Sequence, residues 1–401
     1  MSGIYEQLGI RTIINAKGAS TRVSGGILAP EVADAMRDAS RHCVDMWEIQ
    51  GRASEIIANL TGAEAAIVTS GAAAGLLLGT AACIAGLDPT KMNRLPDTSG
   101  MKDQVVMARS HRNFYDHAVR TAGAKLVEVG IADRFSGAGV RDAEAWEIAA
   151  AITEKTAAIL YLAQPNSRPA LGQVVKVAQA AGVPVLVDAA SQLPPAENLR
   201  RFIDEGADLV TFSGGKAIGG PQSSGILCGR RELVASAALQ CLDQDLFFEQ
   251  WTPPPSLIEK SDIPGLPHHG IGRPCKAGKE EIAGLLTALR LFVADDAQAR
   301  RQTVRAALAR ELYDALKETP HTQCALVPDS YRPGIPGVRM TLDETAAGKT
   351  ALQVILELQN GDPSIHADNS RIADASIGFS SMCLEAGHPA AIAARMSELL
   401  K

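Results

Sequence analysis

Residues 208–229 read DLVTFSGGKAIGGPQSSGILCG and hold a single lysine between two pairs of glycines. Glycine is disfavoured inside helices and strands because it has the largest backbone entropy to lose. The stretch therefore predicts two apolar strands joined by a turn that holds Lys216 at a strand end. A lysine kept from water loses its proton more readily and can then bond to an aldehyde. From this stretch alone, a surface lysine in a flexible hairpin loop stays open as the alternative.

Short apolar runs recur before this stretch and alternate with helical patterns. Strands that alternate with helices form a mainly parallel sheet covered on both faces, so the predicted fold class is α/β. In such a sheet, ligands bind beyond the carboxyl ends of the strands. The predicted strands are Ala65–Val68, Gln104–Ala108, Lys125–Val129, Ala157–Leu162, Pro184–Val187, Asp208–Phe212 and Gly225–Cys228.

Proline-rich stretches and a helical pattern divide the chain into three expected segments. Residues 1–30 read as an irregular N-terminal segment and residues 31–275 as a large domain, which ends at the proline-rich stretches 251–256 and 265–274. Residues 276–401 read as a long linking helix followed by a small α+β C-terminal domain.

Composition narrows the class of protein. The 401 residues are 46% hydrophobic and 4% aromatic, which is typical of a compact α/β enzyme and excludes a disordered or fibrous chain. The net charge is -6 and no lysine or arginine run stands out, so the sequence argues against a nucleic-acid partner. The seven scattered cysteines lack zinc spacing and predict reduced thiols in the cytoplasm.

Three stretches resemble sequence motifs of other functions. Residues 65–87 carry no charge and are long enough to span a bilayer, but Thr69-Ser70-Gly71 interrupts them and favours a strand, a turn and a buried helix. The AAGKT at 346–350 lacks the first glycine of a P-loop, and Gly137-Ala138-Gly139 lacks the third glycine of a dinucleotide fingerprint. We therefore expect neither a membrane span nor a nucleotide site.

Four features fall where successive strands end. The turn Ser70-Gly71-Ala72-Ala73 opens a helix, and free backbone N–H groups at a helix start can hold a phosphate. His111 follows the next strand and could lie flat on an aromatic ring. Asp188 ends a buried run, where a carboxylate has a high desolvation cost unless a donor or cation meets it. Each feature alone has a structural explanation, such as a helix cap for Asp188.

Taken together with Lys216, these features match pyridoxal 5'-phosphate (PLP). The turn would hold its phosphate, His111 would cover its ring, Asp188 would keep its nitrogen protonated, and Lys216 would bond to its aldehyde. Lys216 lies one helix and one strand beyond Asp188, so the two strand ends could be neighbours. The sequence therefore predicts a PLP site with Lys216, Asp188 and His111 as its catalytic residues.

The chain resembles the fold type I PLP enzymes, and within them the selenocysteine synthase (L-seryl-tRNA selenium transferase)-like family. The resemblance covers most of the chain and is specific around Lys216. The stretches that carry it are 13–21 (IINAKGAST), 60–76 (LTGAEAAIVTSGAAAGL), 108–112 (ARSHR), 183–191 (VPVLVDAAS), 211–229 (TFSGGKAIGGPQSSGILCG) and 270–282 (GIGRPCKAGKEEI).

This resemblance implies a seven-stranded-type sheet in a large PLP-binding domain, a small C-terminal domain, and a homodimer or higher oligomer. It implies that Ser213 joins Ser70, Gly71 and Ala72 on the phosphate. Further residues are implied near the ring (Ser191, Gln192), and from the partner subunit (Arg273, Lys276). Substrate contacts are expected among Arg22, His268, Arg273, Lys276 and Arg371.

The family's selenium transferases carry an added N-terminal tRNA domain, which we do not expect here because the family motifs begin by residue 13. The chain is more similar to the shorter members, of the D-glucosaminate-6-phosphate ammonia-lyase type. That similarity implies a lyase that abstracts the α-proton of a small hydroxylated amino acid or amino sugar acid and eliminates at the β-carbon. β-Replacement on seryl-tRNA, racemisation, aldol cleavage, transamination and a non-catalytic carrier stay open as alternatives.

Overall fold

The computed structural model describes residues 3–131, 142–243, 245–329 and 334–401, so the Gly137-Ala138-Gly139 stretch lies outside it. The chain divides into two compact units: a large unit of Leu28–Arg290, and a small unit of Met1–Ile27 with Leu291–Lys401. This division does not test the predicted domain boundaries after residues 30 and 275, which stay predictions.

Strands and helices alternate through the large unit as the apolar pattern predicts, while the first strand and the last four belong to the small unit. The strands are β1 (Ile13–Ala16), β2 (Ala65–Thr69), β3 (Gln104–Ala108), β4 (Lys125–Val129), β5 (Thr156–Leu162), β6 (Val185–Asp188), β7 (Leu209–Ser213), β8 (Gly225–Gly229), β9 (Thr322–Pro328), β10 (Pro336–Leu342), β11 (Ser364–Ala367) and β12 (Ser376–Ser380). The helices are α1 (Ile4–Gln7), α2 (Pro30–Ala39), α3 (Met46–Thr61), α4 (Ala72–Ala85), α5 (Pro89–Arg94), α6 (Asp116–Thr121), α7 (Ala145–Ala151), α8 (Leu171–Ala181), α9 (Asn198–Asp204), α10 (Arg231–Cys241), α11 (Lys279–Val293), α12 (Ala297–Leu316), α13 (Glu344–Ala347), α14 (Ala351–Asn360) and α15 (His388–Leu399).

One mixed, mostly parallel sheet forms the centre of the large unit, which confirms the predicted fold class. In the described residues its seven strands follow the order β2-β8-β7-β6-β5-β3-β4, and β8 alone runs antiparallel to its neighbours. The strands are continuous apolar runs because helices cover both faces. α4 is likewise almost wholly buried, and a side chain at Gly79 would touch Leu186 and Leu209 of the sheet. The carboxyl ends of β5, β6 and β7 therefore lie side by side.

Among its described residues, the small unit has its own core and two sheets. β9, β10 and β12 form an antiparallel sheet in the order β12-β10-β9, while β1 pairs with β11 in parallel. Leu312 of α12 and Ile392 of α15 are fully buried in the same apolar cluster as Met340 and Ile377. A separate core of this size is the mark of a domain.

Two expectations about irregular and helical segments are wrong. Residues 1–30 contain β1, which the sequence did not reveal because its hydrogen-bonding partner, Ser364–Ala367, lies some 350 residues further on. The single linking helix is two helices, α11 and α12. Asp296, which precedes α12, has a left-handed backbone (φ 57°) that interrupts a right-handed helix.

The uncharged stretch at 65–87 forms β2, a turn and α4, as predicted. Across the ranges that the structure describes, every helix falls short of the length or the apolar character that a membrane crossing requires.

Candidate active site

Lys216 lies on a tight turn of π-helical form, Gly214–Ile218, between β7 and β8. The glycines before it are required by space. A side chain at Gly214 would come within 2.2 Å of Ser224 Oγ, and one at Gly215 within 2.7 Å of Gln222 Cα. The turn keeps the lysine half-buried, and its Nζ donates a hydrogen bond to Ser191 Oγ at 2.8 Å. The predicted strand–turn–strand is thus confirmed, and it fixes the amine rather than leaving it in a loose loop.

Asp188 ends β6 and is 6% exposed. Burial raises the pKa of its carboxyl above the ordinary value, while the hydrogen bond from the Ala190 N–H (3.0 Å) and the charge of Lys216 act in the opposite direction. Asp188 pairs with Thr211 on β7, the strand that leads into the lysine turn. The fold therefore brings the acid and the amine together, because their two strands are neighbours in the sheet.

The turn between β2 and α4 presents the free start of a long helix. No side chain in the described ranges caps α4, and Gly71 has a φ of 143°, which other residues rarely adopt. The Ser70 N–H, however, donates to the Cys275 carbonyl at 3.0 Å. Phosphate donors would therefore come from the N–H groups after Ser70. Phosphate contact by the Ser70, Gly71 and Ala72 turn remains a prediction.

Ser213 lies at the end of β7 and is paired with Gly225, which is in turn paired with Thr69 at the end of β2. A side chain at Gly225 would come within 2.4 Å of the Gly71 carbonyl carbon. The absence of a side chain there lets the lysine hairpin pack directly on the helix start. Sequence reasoning did not single out Gly225, although its place at the start of a predicted strand was a signal.

His111 is 2% exposed and follows β3. Its Nδ1 accepts a hydrogen bond from the Leu162 N–H at 3.4 Å, and its ring meets Tyr161 edge to face at 5.0 Å. Leu162 is paired with Asp188 on the adjacent strand. The fold thus gathers His111 near the same sheet edge as Asp188. Ser110, which the sequence reasoning passed over, has a buried Oγ with no partner among the described residues.

Ser191 and Gln192 follow Asp188 on the same edge. Ser191 meets the lysine amine, whereas the Gln192 backbone is engaged locally: its N–H donates to the Ala189 carbonyl at 3.0 Å and its carbonyl accepts from Asn198 at 2.6 Å. Both side chains are partly exposed. Their predicted contacts to a cofactor ring stay predictions.

Most of the remaining predicted residues contact partners within their own compact unit. Arg273 forms an ion pair with Asp243 of its own chain, and the His268 N–H donates to Asn93 Oδ1 at 2.7 Å. Lys276 is exposed and directly follows Cys275, the residue that binds the Ser70 N–H within the same chain. Arg371 pairs with Asp374 and Arg22 contacts His366; both arginines are exposed residues of the small unit.

Comparisons with known proteins identify the family of this chain. The family model "SelA: L-seryl-tRNA selenium transferase" matches residues 48–249. A 5'-C-glycyluridine monooxygenase-decarboxylase from Streptomyces sp is 31% identical over 99% of this chain and 92% of its own length. A D-glucosaminate-6-phosphate ammonia lyase from Salmonella typhimurium is 30% identical over 99% of this chain and 97% of its own.

Structural comparison gives the same answer. The solved structure of a D-glucosaminate-6-phosphate ammonia-lyase superposes with a TM-score of 0.79 at 29% identity, covering 100% of this chain and 98% of that one. The family predicted from the sequence motifs is confirmed. The chain belongs to the L-seryl-tRNA selenium transferase (SelA) family of fold type I PLP-dependent enzymes.

Proposed function

We propose that this protein is a PLP-dependent ammonia-lyase that converts a small hydroxylated amino acid or amino sugar acid into a 2-keto acid. The observation that carries the proposal is the convergence of an ordered amine, Lys216, on a buried acid, Asp188, beside an uncapped helix start. Support for the lyase subtype comes from the full-length likeness to a relative named D-glucosaminate-6-phosphate ammonia lyase.

The residues present fit PLP. Asp188 is a buried carboxylate whose pKa burial raises, and a protonated ring nitrogen would give it the partner that burial demands. The start of α4 offers backbone N–H groups and the positive end of a helix dipole to a phosphate. Lys216 supplies the only lysine amine on the turn between β7 and β8.

When bound, PLP supplies an aldehyde that bonds to amines and a ring that accepts an electron pair from the substrate's α-carbon. Lys216 would bond to the aldehyde and, once the substrate amine has replaced it there, would take the α-proton. Asp188 would hold the proton on the ring nitrogen and so keep the ring electron-poor. His111 would cover the ring face; its Nδ1 accepts from the N–H of Leu162, which is paired with Asp188 in the sheet. Ser191 would orient the lysine amine through its hydrogen bond.

The proposed substrate, partners and location follow from the same likeness to the family. The substrate is an amino acid or amino sugar acid, and Arg22, His268, Arg273, Lys276 and Arg371 remain proposed contacts to its acidic groups. We place the enzyme in the cytoplasm as a homo-oligomer, without a nucleic-acid partner.

Ammonia release tests the proposal most directly. The purified PLP-loaded protein is mixed with D- and L-isomers of hydroxylated amino acids and with amino sugar acids, and ammonia and 2-keto acid are both measured. β-Elimination releases the two in equal amounts with no added amino acceptor. A keto acid that forms only when an acceptor is added would identify a transaminase and would overturn the lyase proposal.

A second reaction is favoured by one observation, the 31% identity over nearly the whole chain to a monooxygenase-decarboxylase. This reaction would consume dioxygen and release carbon dioxide from a glycyl group attached to a nucleoside. An oxygen electrode separates the two functions, because β-elimination proceeds at the same rate in air and under nitrogen. Substrate turnover that requires dioxygen would favour the second reaction.

A further inference from the structure

A cluster of basic side chains in the small unit surrounds Arg22, which the proposed function names only as one of several substrate contacts. β1 and β11 run parallel, and Asn15 is paired with His366. Arg22 Nη1 lies 3.2 Å from His366 Nδ1, and Lys17 follows directly after β1. Lys17 Nζ donates to Asn369 Oδ1 at 2.7 Å. Two cations and an imidazole thus gather where the two strands end.

Asn15 fixes the loop that carries these cations. Its buried side chain accepts hydrogen bonds from the Lys17 and Gly18 N–H groups (3.0 and 3.1 Å) and donates to the Gly18 and Gly25 carbonyls (3.1 and 2.7 Å). One amide therefore binds both ends of the loop that contains Arg22. Ligand groups held by a rigid loop lose less conformational entropy on binding than groups on a mobile one.

The charges of this cluster are not balanced by acids. In the described part of the chain, no carboxylate forms an ion pair with Lys17 or Arg22. Excess positive charge of this kind attracts an anion.

The pKa of His366 responds to the positive charge of the cluster. Burial lowers its pKa, and the charges of Arg22, Arg11 and Lys17 lower it further. Arg11 itself donates to the Gln359 and Gly361 carbonyls at the end of α14, so it adds charge but is used structurally. An arginine can only donate, so His366 Nδ1 accepts from Arg22 and the ring proton resides on Nε2. The neutral imidazole therefore adds one more donor.

We propose that Lys17, Arg22 and His366 form an oxyanion-binding site for the phosphate group of a small molecule. Arginine binds phosphate through paired N–H groups and lysine adds a point charge. A dianionic phosphate fits better than a carboxylate because two uncompensated cations are present. The inference rests on the proposed function and deepens it, because it makes Arg22, a proposed substrate contact, part of a phosphate subsite. Phosphate binding is measured without turnover, so this inference can fail while ammonia release is retained.

Calorimetric titration of inorganic phosphate into the full, PLP-saturated chain tests the site. Saturation with PLP removes binding at the start of α4 from the measurement. We expect phosphate binding that Lys17→Gln and Arg22→Gln each weaken about tenfold, which corresponds to about 1.4 kcal/mol. The matched control is Arg310→Gln, because Arg310 lies in the same unit and is paired with Asp314.

A second readout locates the anion. Bound phosphate should raise the pKa of His366, followed by NMR of the histidine ring with His366→Gln to assign its signal. Glucose 6-phosphate is compared with inorganic phosphate, and glucose serves as the control for binding of the sugar alone. Tighter binding of glucose 6-phosphate than of inorganic phosphate identifies the phosphate of an organic ligand rather than the free ion. Phosphate binding that the Lys17→Gln, Arg22→Gln double variant leaves unchanged, or an unmoved His366 titration, overturns the site.

Discussion

Two polar clusters of this molecule have opposite electrostatic designs. In the large unit, Asp188 is buried at the end of β6, and the positive charge of Lys216 opposes the rise that burial causes in its pKa. In the small unit, Lys17 and Arg22 surround His366 at the end of β11, and the charges that act on the histidine are all positive. The first cluster contains a buried acid, which a protonated ligand atom would stabilise. The second contains cations, which an anionic ligand would stabilise.

The difference shows how the two kinds of site depend on the chain. Asp188 ends β6 and Lys216 lies on the turn after β7, the next strand in both the chain and the sheet, so their proximity follows from local order. Arg22 and His366 are 344 residues apart and meet because β1 pairs with β11. We interpret the first as a site for reaction chemistry and the second as a site for recognition.

The largest effect is expected from removal of the lysine. Lys216→Ala should lower ammonia release by about 10²- to 10⁴-fold or more, because the general base and the aldehyde anchor are both lost. The absorbance of lysine-bound PLP near the visible edge should also disappear. Lys176→Ala, on the exposed face of α8, is the control and should keep both signals. Unchanged absorbance in Lys216→Ala would place the anchoring amine elsewhere.

Asp188→Asn tests the buried acid and should lower turnover by about 10²-fold, since the ring nitrogen loses its charged partner.

The effect of Asp188→Asn on stability depends on pH. Burial raises the folded-state pKa of Asp188, so the folded protein binds more protons than the unfolded one above the ordinary aspartate value of 3.8. The stabilising contribution of protonated Asp188 is therefore lost as the pH rises through the raised pKa.

Urea unfolding of the PLP-free proteins at a series of pH values measures this loss. The free energy of unfolding of Asp188→Asn should gain on that of the wild type as the pH rises from the ordinary aspartate range, and the difference should then level off. Parallel pH curves for the two proteins would contradict the raised pKa.

Gly225→Ala tests the packing of the lysine hairpin on the helix start. The added carbon would come within 2.4 Å of the Gly71 carbonyl carbon and 2.8 Å of the Ala72 nitrogen, so the backbone must shift. We expect a loss of about 1–3 kcal/mol in the free energy of unfolding and weaker PLP binding, measured by denaturation and by spectral titration. Gly172→Ala, where the added carbon meets no atom within 4 Å, should lose neither.

The smallest effect is expected at Ser191. Ser191→Ala removes the oxygen that accepts the 2.8 Å hydrogen bond from Lys216 Nζ, which is worth about 1 kcal/mol, or roughly fivefold in turnover. Steady-state ammonia release measures it, and the exposed Ser99→Ala serves as the control. Wild-type turnover in Ser191→Ala would mean that the serine does not orient the amine.

Much of the large unit could be predicted from local sequence. The apolar runs predict β3 and β4 at their observed bounds and the other large-unit strands to within one residue at each end, because buried strands bounded by turns leave a strong pattern. The linking helix is less predictable: the sequence predicts one helix through residues 294–296, whereas the left-handed backbone of Asp296 ends it there.

Tertiary contacts decided features that no local pattern encodes. The Ser70 N–H is taken by the Cys275 carbonyl, 205 residues further on, which removes one predicted phosphate donor. The strand β1 exists because it pairs with residues 364–367, and the basic cluster around His366 depends on that pairing.

The sequence by itself determined the order of strands and helices, the lysine turn and the family, because burial and backbone freedom act on neighbouring residues. The tertiary structure decided which strand ends are adjacent, which backbone groups remain for a ligand, and where positive charge collects. Those properties depend on distances through space between residues that are far apart along the chain.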